Sequence, residues 1–169
     1  MNWQRITFGV LLIYLWVMMI LLGSIVLETF MIYPNILRDP PASFAVALDF
    51  MSVAAPSDFF PPLGLASWVF GAASLILGWR VPSARWWILG SLLMIIGEGL
   101  ASMALFWPRN TIMFVEGPAV HSAEFLRQTA QEFEALHWLR VAFNAAGSAL
   151  IFTGFLKFYR QMLLSPMRG

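Results

Sequence analysis

Residues 6–32 read ITFGVLLIYLWVMMILLGSIVLETFMI, an apolar run interrupted by one ionisable side chain, Glu28. A helix needs about 20 such residues at about 1.5 Å each to cross a hydrocarbon core about 30 Å thick. This stretch is therefore a membrane span, and it is too long for a signal peptide, with no small-residue cleavage site behind it. Three further stretches pass the same test, at roughly 63–79, 86–107 and 122–160, the last extending outside the bilayer. The whole chain agrees: 60% of its 169 residues are hydrophobic, 11% are charged and the mean hydropathy is +0.75, against about 25% charged in soluble domains. The fold class expected is an all-α polytopic membrane protein, a single domain built as a compact four-helix bundle.

Charge placement sets the expected topology. Putting the N-terminus, the Arg80 to Arg85 turn and the C-terminus on one side collects Arg5, Arg80, Arg85, Lys157, Arg160 and Arg168 there without an acid. All loop acids fall on the other side, so the positive-inside bias makes both termini cytoplasmic in a cell (inner) membrane. A net charge of +1 offers no nucleic-acid surface, and the absence of Cys excludes thiol and disulfide chemistry. The inner connection is short. The two outer ones, residues 33–62 and 108–138, are long, with a short helix expected over Ala42 to Ser52 in the first and, after the Gly117-Pro118 turn, a helix capped by Ser122 in the second half of the other.

Small residues at spacings of three and four mark helix contacts in lipid. Gly64, Ser67, Gly71, Ser74 and Gly78 form one such stripe, Gly90, Met94, Gly97 and Ala101 a second, and Ala142, Ala145, Ala146 and Ala149 supply the small positions of the fourth helix.

Composition does not explain the polar groups at membrane depth. Glu28, Glu98, His137, Arg140 and Asn144 each carry a cost that a lipid-facing position would not tolerate, about 2.5–3.5 kcal/mol for a charge at the bilayer centre. On the last helix, Leu126, Ala130, Phe133, His137, Arg140, Asn144 and Ser148 share one side, which turns polar on entering the membrane. This points to a polar chamber in the outer half of the bundle. Pairing of Glu28 with Arg140, of Asn144 with Glu98, and of His137 with one of the carboxylates is expected. Glu134 and His137 make a Glu-x-x-His pair, which with His121 is a weaker candidate for a transition-metal site; no metal is favoured. At the outer rim, Phe59 and Phe60, and Trp107 with Arg109 and Asn110, suit the entrance of a small apolar or aromatic molecule.

The Pro-containing end of the first helix (Gly23 to Asn35), the Arg109-Asn110 step after the third, and His137-Trp138-Leu139-Arg140 at the head of the fourth resemble the anthrone oxygenase-like family of small four-helix membrane proteins. The resemblance implies oxidation of an anthrone-type compound by molecular oxygen without a cofactor. His137 would be the base, oriented by Glu98 or Glu28; Arg140 and Asn144 would stabilise an enolate oxygen; Trp107, Trp138, Phe59 and Phe60 would hold the ring. A non-catalytic alternative is an accessory subunit or a carrier, with a membrane protein or a second copy as partner.

Overall fold

Backbone in hydrocarbon has no water to bond its N–H and C=O groups, and a helix satisfies them within one segment. The computed structural model, which describes residues 3–164, is all-helical, with no strand among the described residues. Arg168, one of the basic residues expected on the inner side, lies outside the described residues. We number the helices α1 (Trp3–Ile36), α2 (Ala42–Phe50), α3 (Pro56–Gly78), α4 (Arg85–Val120) and α5 (Ala123–Leu164). All but α2 are long and apolar enough to span a membrane, and the chain is a multi-pass membrane protein. Consecutive spans α1, α3, α4 and α5 pack in a ring, which α5 closes against α1.

The helices run further than the prolines suggest, and the reason is local. Pro in a helix interior lacks an N–H and its ring collides with the carbonyl four residues back. Here each of three prolines is preceded by a widened π-turn: Glu28–Ile32 before Pro34, Ser102–Phe106 before Pro108, and Thr111–Glu116 before Pro118. At the first two, the Tyr33 amide donates to the Glu28 carbonyl and the Trp107 amide to the Ser102 carbonyl, five residues back in each case. Much of the expected second outer loop is therefore an upward extension of α4. Gly117, at φ 53° and ψ −150°, completes the bend in a conformation that side chains disfavour. α3 likewise begins at Pro56, ahead of Pro61 and Pro62, with the Asp58 carboxylate accepting from the Ala55 amide at 2.9 Å. The start of α5 is capped as expected, the Phe125 amide donating to Ser122 Oγ at 3.2 Å.

Two apolar cores are stacked along the bundle. The inner one includes Leu11, Tyr14, Met18, Ile88, Leu92 and Ile151. The outer one, made by Tyr33, Phe44, Phe106, Met113, Leu126 and Phe133, draws on the upper ends of α1, α4 and α5 and on α2. Ser67, Gly71, Ser74 and Gly78 are the buried stripe of α3. A Cβ at Gly71 would lie 2.8 Å from Leu92 Cδ1 and 3.1 Å from Tyr14 Cζ. The alanines of α5 do not play the part expected of them. Ala142, Ala145, Ala146 and Ala149 are not buried, because the side containing Asn144, Gly147, Ser148 and Ile151 is the one turned inward.

Gly71→Val should therefore lower stability by about 1–3 kcal/mol through overpacking, read as a fall in melting temperature in detergent, while Ala145→Val should leave the melt unchanged.

Candidate functional site

α5 brings Arg140 into the bundle at a definite height. Counting along α5 from Lys157 at about 1.5 Å per residue puts it roughly 25 Å away, close to the opposite edge of a hydrocarbon layer about 30 Å thick. Its Nε donates to Glu98 Oε1 of α4 at 2.9 Å, and its Nη1 lies 3.9 Å from Glu28 Oε2 of α1. All three side chains are largely buried, at 11%, 12% and 7% exposed for Arg140, Glu98 and Glu28. The guanidinium also lies against the Phe106 and Phe60 rings, 5.1 and 5.5 Å from their centroids. When all three groups are ionised, the cluster carries one excess negative charge.

The π-turns help build this cluster. Ser102, first residue of the α4 π-turn, donates its hydroxyl to Glu98 Oε1 at 2.8 Å, so one oxygen of Glu98 is held by two donors while the other takes part in neither bond. Glu28 opens the corresponding turn of α1. The Tyr33 hydroxyl, just beyond that turn, stands beside Glu28 and Arg140.

Glu98, Arg140 and Asn144 form the polar wall of a cavity of about 200 Å³ whose remaining lining is largely apolar and aromatic, including Phe60, Trp68, Trp107, Leu21 and Ile25. Leu65, Met103 and Trp107 at its rim are exposed on membrane-spanning helices. The mouth thus opens between α3 and α4 toward lipid. Asn144 Nδ2 donates to the Arg140 carbonyl at 3.0 Å, but its Oδ1 is buried with no partner. Lipid cannot satisfy that acceptor.

The expected pairings are realised in part. Glu28 meets Arg140, but Asn144 does not bond Glu98, whose partners are Arg140 and Ser102. His137 pairs with neither carboxylate: its Nε2 is 2.8 Å from Thr29 Oγ1. That hydroxyl donates to the Ile25 carbonyl, so the ring nitrogen supplies the proton between them, and the buried Nδ1 is left without a partner. His137 is wedged beside Tyr33 and Phe133 and does not line the cavity.

Of the expected ring-holding residues, Phe60 and Trp107 line the cavity. Phe59 is half-exposed against Phe60, and Trp138 is exposed beside Phe30. Arg109 is drawn to Glu132, at 3.0 Å, and Asn110 is not part of the lining. His121 pairs with Glu116, Glu134 lies on the outer surface with Arg38 and Arg127, and no group of three metal-ligating side chains is found among the described residues. Sequence reasoning missed Trp68 and Ser102. Trp68 sits in mid-span rather than at a headgroup level, and its indole donates to the Ile95 carbonyl at 3.3 Å; that position was the available signal.

Removing one member of a buried ion pair costs about 3–5 kcal/mol, because the other is left uncompensated. Arg140→Met should accordingly lower the melting temperature sharply, and adding Glu98→Gln to it should restore part of the loss, measured as a double-mutant cycle in detergent.

No protein-family model, no curated protein and no solved structure matches the chain.

Proposed function

We propose that this protein takes a small aromatic, hydroxyl-bearing molecule from the outer leaflet into the Glu98–Arg140 cavity and oxidises it there, in the manner of an anthrone oxygenase. The carrying observation is the position of Glu98: one carboxylate oxygen fixed by Arg140 and Ser102, in the wall of an aromatic-lined cavity with a lipid-facing mouth. In this reading Glu98, not His137, is the base. It takes a proton from the doubly benzylic CH2 of an anthrone-type ring, and the carbanion is delocalised onto the ring-ketone oxygen. Arg140 lies where that developing negative charge can be stabilised.

The carbanion passes electrons to molecular oxygen. In balance, the CH2 becomes a carbonyl that keeps one atom of O2, and its two hydrogens leave with the other atom as water. Asn144 adds to the polar wall beside Arg140, and Trp68, Trp107 and Phe60 supply the apolar walls. The bilayer is the reservoir from which such a molecule arrives. The basic residues gathered at one end of the bundle favour cytoplasmic termini, which puts the cavity in the outer half of a cell membrane.

Oxygen uptake by the purified protein with anthrone, above the uncatalysed rate, tests this directly. Glu98→Gln should lose roughly 10²-fold or more of the rate, the range for a general base, and Glu132→Ala should keep it. Binding without oxygen uptake would favour a carrier, and equal rates in wild type and Glu98→Gln would remove Glu98 as the base.

A further inference from the structure

A second concavity lies well away from the charged cluster, between α2 and the upper end of α1. It measures about 320 Å³, and Met31, Ile36, Val46, Ala47 and Phe50 give it an apolar lining with Arg38 at its edge. Its outer side is bare: Val46, Phe50 and Val53 are 71%, 84% and 97% exposed. Large apolar side chains so exposed on and beside a helix outside the spans call for a covering partner.

Height along α1 indicates which partner. From Arg5 to Met31 the helix climbs about 39 Å at about 1.5 Å per residue, and a bilayer with both headgroup layers measures about 40–45 Å. The groove therefore lies at the level of the outer headgroups. Met31, part of its lining, and the adjoining Phe30 are both exposed on α1. Arg38 is exposed and makes no ion pair among the described residues, at the height where lipid phosphates are found.

We infer that α2 is seated in the outer headgroup layer and that the groove beside it is filled by an acyl chain of an outer-leaflet phospholipid, with Arg38 facing the phosphate. This assignment is independent of what the Glu98–Arg140 cavity binds. It makes α2 an interfacial anchor that holds the outer core down on the bilayer.

The absence of native Cys gives a clean test. Nitroxide labels at Val46→Cys or Phe50→Cys, in full-length protein reconstituted at high dilution in phosphatidylcholine vesicles, would be compared with a lipid reference, Val69→Cys, and an aqueous reference, Glu124→Cys. Power-saturation electron paramagnetic resonance reads collision with oxygen, which concentrates in lipid, against collision with a water-soluble nickel chelate. The labels at 46 and 50 should fall between the two references, as headgroup depth requires, with oxygen collisions clearly stronger relative to chelate collisions than at 124. Chelate-dominated behaviour like that of 124 would overturn the proposal by placing the groove in water. Low collision with both reagents would overturn it equally, since it would mean that a second copy or another protein covers the groove. The two labelled positions guard against one substitution disturbing α2.

Discussion

A guanidinium at the edge of the hydrocarbon has to be neutralised where it stands, and Arg140 is neutralised by carboxylates from two other helices. Glu98 meets it at 2.9 Å and Glu28 at 3.9 Å. This requirement fixes the height of α1 and α4 relative to α5, because a turn of slippage in any one of them would leave a buried charge alone. The inner apolar core packs below this layer and the outer core above it. The ion cluster is thus a floor between two packed regions, and the cavity is the place where that floor reaches lipid.

The same layer explains why the helices are irregular there. A straight α-helix through Pro34 or Pro108 would meet a collision and lose a backbone bond; the π-turns spread that defect over a wider turn. Those turns begin at Glu28 and Ser102, which belong to the ion cluster or bond to it. Proline chemistry in the sequence is therefore tied to side-chain placement in the site. The cost of widening the turn is offset by contacts that a regular helix would aim elsewhere.

The four spans are legible in the sequence because hydropathy over about 20 residues is governed by one large effect, the transfer of a helix into lipid. The inward side of α5 is legible for a related reason: Asn144 and Arg140 have nowhere else to go. What cannot be read is set by competition among alternatives of similar energy. Pro34, Pro108 and Pro118 look like helix ends, since nothing in sequence separates a stop from a π-turn that continues. Ala145 and Ala149 look like packing positions, yet alanine suits a lipid-facing surface as well, and Gly147 occupies the contact. His137 looks destined for a carboxylate, but which donor reaches Glu98 first depends on angstrom-scale offsets between helices. Ser102 takes that place from one turn further along the same helix.

The proposed function requires Glu98 to be a buried, ion-paired carboxylate directly available to a molecule in the cavity. Infrared difference spectroscopy on the detergent-solubilised protein, before and after addition of a hydroxylated anthrone under argon, reads carboxylate bands without requiring turnover. The result expected of that requirement is a carboxylate-stretch difference on binding that disappears in Glu98→Gln. A binding signal with no change in any carboxylate band, or one that survives in Glu98→Gln, would contradict it.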